Sequence, residues 1–293
     1  MRTIALLFFS TTVFAQAPKT DIWMFNYKFN GKAYTIGEGL DISQNPGYDN
    51  QPAFSPGGDY ILYSSDRGDG QTDIYKYVIR DKKNEAFEKS SGTSEYSPTF
   101  MNGNKYISTV MVEKDSTQRL WKFHKDSKLP SVVLPKTDSI GYHCWLGDET
   151  VFLFVLTQPF TLQMAEVRTG QTKTVADSIG RSMHTFRNET GRQILLYTVF
   201  DSKGKLWIRA ANMAGIDIPD FKPIPAVEGS QDFSVDKHGN LFMAKGAKIY
   251  RWQPGKSSEW TETFDLAFAG LKNITRLTFS PQGGRMAVVE NKE

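Results

Sequence analysis

One aromatic position returns six times along this chain at nearly constant spacing, and nothing else in the sequence constrains the fold so tightly. The anchors are Phe54, Phe100, Trp145, Phe186, Phe233 and Phe279, separated by 46, 45, 41, 47 and 46 residues. The clearest copy runs from Asp49 to Ile79. It reads as a strand ending at Phe54, a turn at Ser55-Pro56-Gly57-Gly58, a strand over Tyr60 to Ser64, a polar turn over Asp66 to Gln71, and a strand around Ile74 to Val78. Proline presets one φ and glycine supplies a positive φ at such turns, while β-branched and aromatic residues suit a pleated, half-buried surface. A period of about 40–50 residues with four strands per unit is the pattern of propeller blades. The fold class expected is all-β: a six-bladed β-propeller with four-stranded blades.

The two ends of the repeat predict how the ring shuts. Thr20-Asp21-Ile22-Trp23 matches Thr72-Asp73-Ile74-Tyr75, the third strand of the first full blade, and Ala33 to Ile36 reads as a fourth strand. At the other end Ile274 to Phe279 and Arg285 to Glu290 supply a first and second strand. Each terminus carries half a blade, so pairing them satisfies two sheet edges that would otherwise be open. The organisation expected is a cleaved leader over residues 1–15 and one propeller domain over 16–293. The leader rests on Arg2, the apolar run from Ile4 to Phe14 and the small Ala15 before the cut. That run is too short for a spanning helix, which needs about 20 residues. The protein is therefore read as exported, periplasmic or secreted. Cys144, the single cysteine, builds no disulfide framework and is read as a small core residue. The sequons at Asn188 and Asn273 matter only in a host that glycosylates exported proteins.

The repeats resemble those of TolB, the periplasmic propeller protein of the Tol–Pal system. The residues that carry the resemblance are Pro52-Ala-Phe-Ser-Pro-Gly-Gly58, Ser65-Asp-Arg-Gly68, Asp73-Ile-Tyr75 and Thr278-Phe-Ser-Pro-Gln-Gly283. The middle blades keep the aromatic and the spacing but lose the Ser-Pro turn. TolB also has an N-terminal α/β domain, and the few residues between Ala15 and the first strand predict that the likeness is to its propeller alone. A role in binding a protein partner is what the resemblance implies; fold does not carry function with it.

Chemistry is harder to find. The sequence has no Gly-x-Ser-x-Gly, His-Glu-x-x-His, paired-cysteine, phosphate-loop or calcium-loop pattern. The formal charge of +3 is spread along the chain, which argues against nucleic acid as a partner. The innermost strands line a propeller's channel, so equivalent positions form rings. Two residues before the anchors stand Pro52, Pro98, His143, His184, Gln231 and Leu277; three before stand Gln51, Ser97, Tyr142, Met183, Ser230 and Arg276. Toward the rim come Asp49, Glu95, Arg181 and Glu228, with Tyr48 and Tyr96 nearby. The binding surface expected comprises Tyr48, Asp49, Gln51, Glu95, Tyr96, Tyr142, His143, His184, Gln231 and Arg276. His143, His184 and Asp232 are the candidate metal ligands should the channel hold a metal. The reading is a non-catalytic, monomeric scaffold with no cofactor that binds a protein or envelope partner, or a small molecule or glycan. The alternatives are a hydrolase or lyase acting on a sugar or peptide, and a metal- or small-molecule-binding module built on the channel histidines.

Overall fold

The computed structural model describes residues 18–187 and 191–292. The expected leader and the Asn188 sequon lie outside them. Among the described residues, six separate four-stranded antiparallel sheets account for the strands, and the only helical turns are two three-residue 3₁₀ segments. The first five blades span 49–88, 94–132, 140–177, 179–225 and 233–265. The six-bladed propeller read from the repeat is the observed architecture.

The sixth blade joins the two chain ends. Its strands run Tyr34–Asp41, Thr20–Phe29, Arg285–Asn291, Ile274–Phe279 from rim to channel. Seven residue pairs zip Thr20–Phe29 to Arg285–Asn291, from Thr20 opposite Asn291 to Asn26 opposite Arg285. Successive side chains of a strand point to opposite faces, and both faces of this one are covered. Ile22 and Met24 pack with Ala287, Val289, Phe54 and Tyr63 against the first blade, whereas Phe25 packs with Val288, Phe279 and Phe242 against the fifth. Ion pairing of Lys292 with Asp21 and a hydrogen bond from the Lys292 amide to the Lys19 carbonyl (3.0 Å) hold the seam.

The aromatic anchors sit in the hydrophobic layers between blades. Phe54, Trp145, Phe233 and Phe279 are buried, and Phe100 and Phe186 pack partly buried against the same layers. Five of the six innermost strands slip register against their neighbour near the channel. Such bulges bend a strand and re-aim its side chains. In the first two blades Gln51 and Ser97 take φ of 57° and 55°, each just before a proline.

The fifth blade corrects the sequence register. In the first blade the Ser55 amide donates to the Tyr60 carbonyl and the Gly58 amide to the Ser55 carbonyl; Ser280 and Gly283 repeat this in the sixth. In the fifth blade Asp236 and Gly239 make the equivalent bonds. Val235, not Phe233, therefore stands where Phe54 stands. A two-residue slip preserves the face, so Phe233 still packs inward and takes the place assigned to Gln231, while Asp232 moves into the ring assigned to Ser230.

Candidate functional site

The channel encloses a cavity of about 420 Å³. Gln51, Pro52, Ser97, Pro98, Tyr142, His143, Met183, His184, Arg276 and Leu277 line it, as the ring positions predict, together with Cys144, Arg181 and Asp232. Gln231 does not; it is exposed beside a separate groove.

Three charged side chains face the cavity, and they meet. Arg181 donates from Nε to Asp232 Oδ2 at 2.9 Å, with a second, shorter bond from its terminal nitrogen. Arg276 approaches the other carboxylate oxygen at 3.7 Å and donates to the Tyr142 hydroxyl at 2.9 Å. Burial works against the Arg276 charge, but Asp232 and the hydroxyls of Tyr142 and Tyr48 outweigh it and raise its pKa. Tyr48 lies within electrostatic reach of Arg276, Tyr142, Tyr96 and Arg181, and burial raises its own pKa. Its ring meets that of Tyr96 edge-on at 6.4 Å. The innermost strands all begin at this end, so Tyr48, Tyr96, Tyr142, Arg181, Asp232 and Arg276 make one mouth of the channel. Sequence reasoning grouped four of these as binding residues, left Arg181 at the rim and named Asp232 only as a metal ligand. The turn glycine was the signal that could have placed Asp232: Gly58, Gly239 and Gly283 all adopt positive φ at the same turn position.

Asp49 and Glu95 are not part of the mouth. Both are 0% exposed, and both turn toward polar groups of their own blade or of the loop that enters it. Asp49 accepts hydrogen bonds from Ser65 Oγ (2.7 Å) and Asn45 Nδ2 (2.9 Å), while its backbone exchanges bonds with the Thr20 hydroxyl at the seam. Burial pushes its carboxyl up to about 6 against the opposing pull of Ser65, Asn45 and Arg67. Glu95 accepts from Ser90 and Thr93 within the turn that enters the second blade; burial raises its carboxyl too. Gln51 lines the channel, yet its carbonyl oxygen clamps two blades by accepting from Ser64 Oγ (3.0 Å) and the Ser97 amide (2.8 Å).

The histidines do not converge on a metal position. His143 Nε2 shares a 2.7 Å hydrogen bond with Ser108 Oγ, which also receives the Trp145 indole N–H at 2.7 Å. His184 meets the Phe233 ring edge-on at 4.9 Å, and Asp232 is held by the two arginines. Among the described residues no three His, Cys, Asp or Glu side chains are grouped so as to hold a metal. Burial lowers His143 to about 3 and lowers His184 as well. The Cys144 thiol is pushed by burial up to about 11, which keeps it protonated and a poor nucleophile at neutral pH.

A titration follows from His143. The unfolded ring takes up a proton near pH 6.5, whereas the folded ring stays neutral until about 3. Its contribution to stability is present above pH 6.5 and is lost as pH falls toward 3. The His143 ring resonances are expected to stay flat from pH 8 to 5 in an NMR titration. A midpoint near 6.5 would contradict the buried, hydroxyl-bonded arrangement.

No protein-family model matches the sequence, and no curated protein matches it. Solved structures do. A protein from Agrobacterium tumefaciens assigned as TolB superposes with a TM-score of 0.67 at 12% identity, covering 94% of this chain and 99% of that one. TolB from Acinetobacter baumannii gives 0.59 at 11% identity over 92% of this chain and 64% of its own. A gluconolactonase from Xanthomonas campestris gives 0.62 at 8% identity over 95% and 99%. The chain is a TolB-like six-bladed β-propeller in fold. At these identities the likeness concerns architecture, and the same architecture serves both binding proteins and enzymes. Among the described residues no helix is long and apolar enough to cross a membrane.

Proposed function

We propose that this protein is an exported, non-catalytic binding propeller, periplasmic or secreted, that engages a protein or envelope partner at the tyrosine-lined mouth of its channel. The mouth is the observation that carries the reading. It gathers half-buried tyrosines with two guanidiniums, residue types that dominate recognition surfaces. The histidines and the thiol beside it are held in packing contacts rather than poised for proton transfer. The rigid ring would present the mouth with little loss of entropy on binding.

The test is affinity capture from envelope extract, with the wild type compared with Tyr142→Ala at the mouth and Gln282→Ala at the opposite end. A partner retained by wild type and Gln282→Ala, but captured at least tenfold less by Tyr142→Ala at an unchanged urea midpoint, is the expected result. Equal capture by all three would overturn the assignment of the mouth.

A further inference from the structure

The mouth carries one more positive charge than it neutralises. Arg181 and Arg276 share the single carboxylate of Asp232, and no other charged side chain lines the cavity among the described residues. Arg276 is only 16% exposed on its side chain, so solvent and salt screen its charge little and an anion entering the mouth would feel it at close range. Unused polar capacity lies in the same channel. His143 Nδ1 and Ser97 Oγ are buried and find no protein partner, and both residues line the cavity.

An apolar groove of about 230 Å³ opens beside this charge, between the third and fourth blades. Tyr142 and Arg181 line both the groove and the channel, so the two spaces adjoin at these two residues. Phe154, Phe160 and Phe200 form the groove's aromatic wall, with the Phe154 and Phe160 rings 5.0 Å apart. Phe160 and Phe200 remain 38% and 39% exposed, two of only seven large hydrophobics so exposed among the described residues. A cationic channel lip joined to an aromatic groove is complementary to a molecule with an anion at one end and an apolar body at the other. Arg181 spends Nε and one terminal nitrogen on Asp232, and Arg276 one terminal nitrogen on Tyr142; of the five N–H donors each guanidinium carries, the remainder are available to a second carboxylate.

We infer that the mouth binds a small carboxylic acid bearing an aromatic or branched aliphatic group, with the carboxylate at Arg181 and Arg276 and the apolar group in the Phe154/Phe160/Phe200 groove. This names the ligand chemistry of the mouth proposed above and rests on that reading.

The experiment is calorimetric titration of the whole protein at low salt with 3-phenylpropionate, acetate and 3-phenylpropanamide, and with N-acetylphenylalanine to represent a peptide C-terminus. Binding of 3-phenylpropionate to one site at least tenfold tighter than acetate or the amide is expected. Tighter binding of N-acetylphenylalanine would assign the carboxylate to a chain end, and weaker binding to a free acid. Arg181→Gln should lose at least tenfold for both aromatic acids, 3-phenylpropionate and N-acetylphenylalanine, while Phe160→Ser, altering an exposed ring, should bring 3-phenylpropionate down to the level of acetate. Equal binding of acid and amide, or wild-type binding by both variants, overturns the inference. If that happens while Tyr142→Ala still loses envelope capture, the ligand chemistry is wrong and the mouth reading stands. Intact acid binding with capture equal in all variants overturns the partner reading instead.

Discussion

Phe25→Ala is expected to cost about 3–5 kcal/mol of unfolding free energy, the range for truncating a fully buried aromatic. Phe25 is 0% exposed in the strand that closes the ring and packs with Phe242, Phe279, Met286 and Val288. The cavity left behind would lie where the fifth blade leans on the seam, so the loss weakens a blade and the closure together. Phe268 meets the same ring edge-on at 6.3 Å but is 60% exposed. Phe268→Ala should therefore stay within about 0.5 kcal/mol of wild type. Urea denaturation of the three proteins checks this. A Phe25→Ala loss below about 1 kcal/mol would mean that the seam contributes little to holding the ring.

Asp232→Ala is the second large effect expected. It strips the shared counter-charge from Arg181 and Arg276 and leaves two guanidiniums facing each other across the channel. Breaking a buried ion pair from one side costs about 3–5 kcal/mol. Arg181 is 31% exposed on its side chain, so solvent screens part of the repulsion and the lower end of that range applies. Asp232→Asn keeps one acceptor oxygen and should lose less. Adding Arg181→Met to Asp232→Ala should recover stability, because it removes one of the stranded charges. A double-mutant cycle by urea denaturation reads that coupling. Additive losses would show that the arginines are not sharing this carboxylate in solution.

The blade repeat was legible because propeller blades are separate packing units, each needing the same turn and the same inward aromatic. The seam was legible for the same reason, since half a repeat at each end has only one place to go. The mouth was harder. Asp49 and Glu95 occupy equivalent places in the first two blades and look like rim carboxylates by count. Both side chains turn instead toward neighbouring hydroxyls, and periodicity does not encode that choice. The fifth blade misled because Phe233 resembles an anchor, whereas the turn glycine is the stricter ruler. Gly58, Gly239 and Gly283 take φ of 71°, 77° and 74°, a conformation that side chains resist, so their spacing varies less freely than that of an aromatic. His143 shows a third limit. Its place on the channel wall was predictable, but its bond to Ser108 comes from the neighbouring blade and depends on how the blades pack.

The seam also decides how the molecule can be handled. Lys19 and Lys292 are hydrogen-bonded neighbours, and Thr20 bridges to Tyr48, so the polypeptide enters and leaves the ring on the mouth face. An affinity tag or surface linker joined directly before Lys19 or directly after Lys292 is tethered at high effective concentration beside the mouth and competes for access to it. Attachment through the turn at Gln282, on the opposite end of the channel, leaves that face open to solution.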